Sequence, residues 1–445
     1  MHRPRFVLLL LAAAIIATIT TAAASAGGTT AMAQPQQISD SQLQALTTTV
    51  GGAKVLSTTK TLQHWFGQTL NPDNGVTYGY NMVGADPNTC SGSACSATIT
   101  ADITPINVVI GGITFSGPDT VAPTLASPAF ATNDYGSTPF ATAAGNFPNL
   151  PALIRGPGGT LSQGDAGNQL QLEDATMRAQ FNKTGSSPYH LRLSPVLHDP
   201  ITLVVPPGAG TLLQSGRGVI FADVNIAWWA TQIGNLNHTL GYTDPTHLPL
   251  YLTNDVLLHV GSNVLNCCVI GFHGASEVLG QGTGSTHGNG NQPVQTYAWA
   301  SWLSPGIYAR PNGGTDWAVQ DIHPLSHEIA EWGDDPFVNN EVEPWLTPTA
   351  PQYGCTDVLE TGDPVVGIGF AKGTNTFEQG PNPDGTQSAD GFYHPEDEVF
   401  LPWFMRTAPN TISEPTQSPS TNIGRYTLMG DLNPFPGFRV PATGC

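Results

Sequence analysis

One short acidic stretch constrains this chain more than any other part of its sequence. HPLSHEIAEWGDDP, over His323–Pro336, holds two histidines, two glutamates and two aspartates without a lysine or arginine. Pro324 suits the first turn of a helix and Gly333 suits its end, so we predict a helix over Ile322–Trp332 that Asp321 caps. The chain must therefore accommodate a short helix whose negative charges have no local counter-charge.

The absence of basic residues extends well beyond this helix. No Lys or Arg occurs from Pro311 to Ala371, and about half of the 33 acidic residues lie between Asp316 and Glu398. Salt bridges within the segment therefore cannot balance the acids, and a bound cation is the simplest explanation. The formal net charge of −19 would repel phosphate backbones, so we expect no nucleic-acid partner.

The spacing within the helix predicts a metal site. His327 and Glu331 are four residues apart on one helix face, close enough to bind one ion at about 2 Å. Glu328 is offset by about 100° around the helix, where its carboxylate can reach a water on the ion and act as the catalytic base. This is the logic of His-Glu-x-x-His metallopeptidases with Glu331 replacing the second histidine, which leaves the metal-bound water less acidified.

A catalytic zinc ion needs a third protein ligand and an open coordination position. The downstream segment CTDVLETGDP supplies acids, and we predict Glu360 as the third ligand, with Asp363 as the alternative. His323, one turn earlier on the helix, is a further option or a supporting residue. In FYHPEDE, His394 is a second predicted supporting residue, and with Tyr393 it could stabilise an oxyanion opposite the metal.

Two nearby features admit other interpretations. Asp334–Glu343, DDPFVNNEVE, offers oxygen ligands suited to a structural calcium ion, but it lacks EF-hand spacing and a solvated loop is the alternative. His273 in GFHG could line a cleft beside the helix, whereas a lone histidine at a strand end is more often structural.

The N-terminus has the layout of a secretory signal peptide. A basic start, an apolar run over Phe6–Ile19 and small residues predict a signal over Met1–Ala33, with cleavage after Ala26 or Ala33. No later stretch is long enough to cross a membrane. We therefore predict a secreted, extracellular protein.

The six cysteines of an exported chain favour disulfide bonds. CSGSAC, over Cys90–Cys95, can close a local loop. A bond within the adjacent pair Cys267–Cys268 would be strained, so we expect at least one of the two to reach Cys355 or Cys445.

The rest of the chain predicts an α+β protein. A β-rich N-terminal region over residues 34–160, with strands in SATITADITPINVVIGGITFSG, ends near the Pro/Gly-rich segment over 147–167. A second domain over 161–445 begins with the helix NQLQLEDATMRAQFN. It continues with the strand GVIFADVN, the helix IAWWATQIGNLNHTL and the strands LPLYLTNDVLLHV, NCCVIGFHG and QTYAWASWL.

Two resemblances follow from these segments. The order of a strand, a Gly-rich loop, QTYAWASWL and LSHEIAEW resembles the zincin metallopeptidase core, in which an antiparallel edge strand precedes the active-site helix. SHEIAEWGDDPFVNN with the later LETGDP resembles uncharacterised secreted bacterial proteins carrying His-Glu-x-x-Glu and then Glu-x-Gly-Asp, which are distantly similar to plant phosphate-induced, exordium-like proteins. The resemblance spans Gly218 to the C-terminus, and its specific motifs are confined to His327–Asp363. The metzincin pattern does not apply, because its second and third histidines are absent.

The resemblance implies a zincin-like mixed sheet with an active-site helix, and it makes Glu360 and Asp363 the matched acidic positions. Together with the residues, it predicts a secreted zinc metallopeptidase that acts on an extracellular protein or peptide. The alternative is an inactive extracellular binding or wall-associated protein with a structural metal. A glycan-active protein using Glu328 and Glu331 is a weaker alternative, because carboxylates three apart on one helix do not flank a sugar from opposite sides.

Overall fold

The structure is a computed structural model, and it describes residues 20–21, 61–135, 169–183, 187–277, 293–308, 319–346, 355–377, 383, 391–407 and 426–428. The predicted boundary segment over 147–167 and the Gly-rich loop before QTYAWASWL lie outside these ranges, apart from the last residue of the loop. Within them the fold is mixed α+β, as predicted.

Most elements of the described fold are strands. They are β1 (Thr20–Thr21), β2 (His64–Leu70), β3 (Thr77–Val83), β4 (Ser96–Ile110), β5 (Ile113–Phe115), β6 (Asn133–Asp134), β7 (Gln169–Leu170), β8 (His190–Leu197), β9 (Ile201–Val204), β10 (Gly210–Gln214), β11 (Ile220–Asn225), β12 (Leu248–Asn254), β13 (Val256–His259), β14 (Cys267–Val269), β15 (Gly271–Glu277), β16 (Val294–Trp302), β17 (Glu341–Leu346), β18 (Cys355–Val358), β19 (Lys372–Thr374) and β20 (Phe392–Tyr393). The helices are α1 (Pro118–Ala126), α2 (Leu172–Gln180), α3 (Ile226–Thr239), α4 (His323–Asp334) and α5 (Leu401–Phe404).

A seven-stranded mixed sheet forms the centre of the molecule. Its strand order is β15-β16-β12-β4-β5, with β8 and β9 also pairing with β4. β12 pairs in parallel with both β4 and β16, whereas β15 is antiparallel to β16. All nine residues of β16 are buried, as expected for an interior strand covered on both faces.

A second sheet, of order β1-β10-β11-β13-β14, carries α3. The predicted strand and helix pair GVIFADVN–IAWWATQIGNLNHTL is confirmed, because β11 leads directly into α3 and Asn225 caps the helix. Its side-chain oxygen accepts hydrogen bonds from the backbone amides of Ala227 at 3.0 Å and Trp228 at 3.3 Å. LPLYLTNDVLLHV is likewise a pair of strands, but β12 and β13 belong to different sheets.

α4, the acidic helix, packs on β15 and β16 of the central sheet and contacts α2. Leu325, Ile329 and Trp332 belong to the main core cluster, and the Trp332 indole donates a hydrogen bond to Thr296 Oγ1 on β16 at 3.0 Å. Every residue of α4 except His327 is buried. The apolar face therefore fixes the helix to the sheet, while its acids lie in the interior rather than in solvent.

The predicted ends and cap of this helix are wrong in detail. The helix begins at His323 and runs through Gly333 to Asp334, and no side chain caps its N-terminus. Asp321 has a positive φ of 43° and its carboxylate accepts hydrogen bonds from the backbone amide and Nδ1 of His394 instead. Gly333 lies inside the helix, and a Cβ at this position would collide with the carboxylate of Glu173 on α2.

QTYAWASWL is not the edge strand that the zincin resemblance implied. It forms β16, which lies between β12 and β15, and the edge strand on this side of the sheet is β15, antiparallel to β16. NCCVIGFHG is also divided, because β14 joins the second sheet and β15 joins the central one. Strand order in a sheet depends on distant pairing, which local sequence does not encode.

The disulfide prediction is confirmed for one pair and wrong for another. Cys90 and Cys95 are bonded to each other as expected. Cys267 and Cys268 are also bonded to each other, so neither reaches another cysteine. Cys355 is disulfide-bonded as well, and its partner lies outside the described residues.

The N-terminal half does not stand apart from this core. β4 comes from the predicted β-rich region over 34–160, yet it occupies the middle of the central sheet. Thr20–Thr21, inside the predicted signal peptide, pairs with β10. None of the described helices is long and apolar enough to cross a membrane.

Candidate metal centre

His327 of α4 lies among three carboxylates. Its Nδ1 is 2.7 Å from Glu396 Oε2, so it donates a hydrogen bond to that oxygen, and its Nε2 lies 3.1 Å from Glu331 Oε1 and 3.8 Å from Asp363 Oδ1. Because Nδ1 donates its proton in the hydrogen bond to Glu396, Nε2 is the nitrogen available to a metal. We call His327, Glu331 and Asp363 the outer set.

The donor atoms of the outer set are spaced as the ligands of one ion would be. Two ligands that each lie about 2 Å from a tetrahedral ion are about 3.3 Å apart. The separations of 3.1 and 3.8 Å from His327 Nε2 are close to that value. The side chains of His327 and Asp363 are 14% and 20% exposed, so the outer set is open on one side.

A second group of ligand-type atoms lies on the other side of Glu331. His273, on β15, has Nδ1 3.6 Å from Glu331 Oε2 and Nε2 3.9 Å from Glu360 Oε2. All three residues are buried, and within the described part of the chain His273 Nε2 has no hydrogen-bond partner. We call His273, Glu331 and Glu360 the inner set.

Glu331 is the residue that the two sets share. Its Oε1 faces His327 and accepts a hydrogen bond from the Gly362 amide at 3.2 Å, whereas its Oε2 faces His273. Gly362 is needed at this point, because a Cβ there would collide with the His327 ring. The turn after β18 can therefore approach α4 closely enough to bring Asp363 beside His327.

Glu328, the predicted catalytic base, points toward the edge strand rather than toward His327. Its Oε2 is 3.4 Å from His273 Nδ1, and its Oε1 would lie 2.5 Å from a Cβ on Gly271 at the start of β15. Gly271 thus leaves space for the carboxylate. Glu328 is only 4% exposed, so a buried carboxylate is held between α4 and β15.

Glu396 supports His327 from the segment after β20. Its Oε2 also lies 3.2 Å from His323 Nε2, its Oε1 accepts from the Gly367 amide at 2.9 Å, and its own amide donates to Ser326 Oγ at 2.8 Å. Both carboxylate oxygens are therefore fixed. His323 acts on the site through Glu396 and is not a member of either set.

The charges of the outer set favour an imidazolium when no metal is present. Burial lowers the pKa of His327, but the charges of Glu331 and Glu396 outweigh that effect and raise the pKa well above its ordinary value. Burial raises the pKa of Glu331 and of Glu396, yet the neighbouring histidines bring both below the ordinary range. A divalent ion at Nε2 would replace the proton there and satisfy the same carboxylates.

The inner set shows the same competition between burial and charge. Burial lowers the pKa of His273, while its interaction with Glu328 and the charge of Glu331 raise it above its ordinary value. Burial raises the pKa of Glu328, and His273 opposes that shift. No Lys or Arg side chain forms an ion pair with either set among the described residues.

The structure separates the two acids that were alternatives for the third ligand. Asp363 joins His327 and Glu331, whereas Glu360 joins His273 and Glu331. His394 contacts Asp321 at 2.6 Å and Gln320 at 3.2 Å, and it belongs to neither set.

In the possible calcium segment, the first two carboxylates already accept hydrogen bonds from protein groups. The two oxygens of Asp335 accept hydrogen bonds from the amides of Asn339 and Asn340, both at 3.0 Å. Asp334 Oδ1 accepts a hydrogen bond from Gln180 Nε2 at 2.6 Å. These contacts close the turn that follows α4.

Sequence reasoning missed Glu396, and it offered His273 as a residue that could line a cleft beside the helix, with a structural role as the alternative. Glu396 stands in FYHPEDE, where Tyr393 and His394 had drawn attention, and its distance of 69 positions from His327 hides the contact. His273 lies inside β15, which runs past α4, and its Nδ1 is 3.4 Å from Glu328 Oε2 on that helix.

Comparison with known proteins gives no further indication. No protein-family model matches the chain, and neither a curated protein nor a solved structure is similar to it at a significant level.

Proposed function

We propose that this protein is a secreted, zinc-dependent peptidase with a zincin-like core. The observation that carries the proposal is His327, whose Nδ1 is held by Glu396 while Nε2 faces Glu331 and Asp363 at the solvent-open side of the site. A carboxylate behind a histidine is the usual way in which proteins orient a metal ligand.

The chemistry of the outer set favours zinc over calcium or magnesium. Calcium and magnesium prefer shells made of oxygen atoms, whereas an imidazole nitrogen with carboxylates suits zinc. With three protein ligands and one side exposed to solvent, the outer set would leave such an ion a coordination position for water, as catalytic zinc sites do. When bound there, zinc would lower the pKa of a water and polarise a carbonyl oxygen.

The remaining chemistry belongs to the chain itself. Asp363 and His327 line the side that is open to solvent. Glu331 lies behind them, and its Oε1 accepts a hydrogen bond from the Gly362 amide. We assign proton transfer to Glu328, whose buried carboxylate lies at the boundary of α4 and β15, with Oε2 3.4 Å from His273 Nδ1.

The position of the edge strand supports the zincin-like assignment. β15 ends the central sheet on the side of α4, and among the described residues it pairs with β16 alone, antiparallel to it. An antiparallel edge strand thus lies next to the helix that carries the histidine and the glutamates.

The test combines metal content with hydrolysis of a peptide library by the purified secreted protein. We expect bound zinc and cleavage in the wild type, loss of the outer-set zinc in His327→Ala, and retained zinc without cleavage in Glu328→Gln. Glu341→Gln, which changes an exposed acid on β17, is the matched control and should behave as wild type. Undiminished cleavage by Glu328→Gln would refute the assigned base.

The runner-up function is an extracellular binding protein with a structural ion. The burial of the inner set favours it, because structural metal sites are closed by protein ligands. Bound metal in a correctly folded protein that cleaves no member of the library would favour this second function.

A further inference from the structure

We infer that the outer and inner sets together bind two divalent ions, bridged by the carboxylate of Glu331. This inference rests on the proposed function, because it places a second ion beside the one assigned to His327. It also gives the fully buried inner set a role that a single-metal peptidase would leave unexplained.

The two oxygens of Glu331 point to different partners. Oε1 lies 3.1 Å from His327 Nε2, and Oε2 lies 3.6 Å from His273 Nδ1. A carboxylate whose oxygens each face a separate imidazole has the arrangement needed to bind one ion with each oxygen. Such bridging places two ions about 3.5–4 Å apart, the spacing of two-metal hydrolytic sites.

His273 and His327 resemble each other in part. Nδ1 of each ring lies toward a glutamate, 2.7 Å from Glu396 Oε2 for His327 and 3.4 Å from Glu328 Oε2 for His273, and only the first of these contacts is a hydrogen bond. Each has Nε2 turned toward an acid of the segment after β18, Asp363 for His327 and Glu360 for His273. The rings differ at Glu331, which faces Nε2 of His327 and Nδ1 of His273.

His273 provides the observation that points to a ligand. It is 6% exposed, and its Nε2 has no hydrogen-bond partner among the described residues. A buried ring nitrogen without a partner is costly, and the adjacent carboxylate oxygens make a cation its natural partner. The nitrogen donors favour zinc or a similar transition metal for this position too.

The two positions differ in exposure, which gives them different tasks. The outer set is the more exposed of the two, so its ion can meet substrate, whereas the ion of the buried inner set would position Glu331 and Glu360. The inner ion would also offset the negative charge collected between β15 and α4. Glu328 remains outside both sets and available for the proton transfer assigned to it.

The experiment measures zinc equivalents per folded protein by plasma mass spectrometry after dialysis. We expect two equivalents in the wild type, one in His273→Ala and at most one in His327→Ala. His238→Ala, which removes an exposed histidine of α3, is the control and should retain two. If His273→Ala fails to fold, Glu360→Gln tests the inner set through a second residue. Glu360→Gln should also retain one zinc equivalent.

A measurement without substitutions complements the stoichiometry. After exchange of zinc for manganese, two bridged ions should give a spin-coupled paramagnetic resonance spectrum. One equivalent that is lost in His327→Ala but kept in His273→Ala, with an uncoupled spectrum, would overturn the inference and leave the proposed function intact. No bound metal in the wild type would refute both.

Discussion

Glu396 is the residue whose contribution to the site is easiest to isolate. It accepts a hydrogen bond from His327 Nδ1 without belonging to either ligand set. Glu396→Gln should weaken zinc binding by about 10- to 100-fold, because carboxylates behind metal-bound histidines contribute on that scale. Competitive titration with a chromophoric chelator measures this change.

Glu398 offers a matched control for that experiment. It lies two residues further along, is fully buried, and burial raises its pKa well above the ordinary value. Glu398→Gln therefore removes little charge and should leave zinc affinity unchanged. Equal affinities in the Glu396→Gln and wild-type proteins would show that Glu396 does not orient the ligand.

Gly362 allows a test of the close approach between the turn and α4. Its φ of −80° is accessible to any residue, so only the His327 ring excludes a side chain. Gly362→Ala should displace the turn or the ring and reduce zinc affinity at least tenfold, as measured by the same titration. Gly234→Ala in α3, where a Cβ meets nothing within 4 Å, should keep wild-type affinity and stabilise the fold by about 1 kcal/mol. Wild-type zinc affinity in Gly362→Ala would contradict the described packing.

At the scale of elements, the C-terminal end of α4 contains a carboxyl that resists ionisation. Asp334 is 2% exposed, and burial raises its pKa to about 8 in spite of the hydrogen bond from Gln180. Its ordinary value is 3.8, so the unfolded chain loses this proton first as the pH rises. The stability contributed by protonated Asp334 is complete below about pH 4 and is lost as the pH approaches 8.

Asp334→Asn should remove that loss. In metal-free protein we expect the variant to gain at least about 1 kcal/mol over wild type at pH 8 and much less at pH 5, because asparagine carries no ionisable proton. Urea unfolding at the two pH values measures the difference. Asp119→Asn, at an exposed position of α1, is the control substitution. A gain that is the same at both pH values would contradict the raised pKa.

The sequence predicts where strands and helices lie better than it predicts which of them pack together. β4, β11, α3 and α4 follow from apolar runs, β-branched residues and helix-terminal signals that act over a few positions. The order of β15 and β16 does not follow, because it depends on how distant segments meet. The bond between the adjacent Cys267 and Cys268 was not predicted, because a strained bond between neighbours was expected to be avoided. His327 and Glu331 were identifiable from one turn of helix, whereas His273 was only one of two interpretations and Glu396 was not identified.

At the scale of the whole molecule, the site joins segments that are remote in sequence. β15 supplies His273, α4 supplies His327 and Glu331, and the turn after β18 supplies Glu360 and Asp363. An ion that binds only the folded arrangement must stabilise it by mass action. The metal is therefore expected to hold the edge of the central sheet, the helix and the turn together.

Zinc should raise the thermal stability of the chelator-treated protein. At a free concentration one hundred times Kd, the expected gain is about 2.7 kcal/mol, which corresponds to several degrees in Tm. Differential scanning calorimetry with and without zinc measures the shift. His327→Ala should lose most of the shift, and an equal shift in the variant would place the stabilising ion elsewhere.

The most direct test of the metal centre is a crystal structure of the zinc-loaded protein with anomalous data recorded on both sides of the zinc absorption edge. We predict an anomalous peak about 2 Å from His327 Nε2 and within bonding distance of Glu331 and Asp363. A fully loaded crystal with no peak at His327, or with zinc bound only at other residues, would contradict the assignment of α4 as a metal-binding helix.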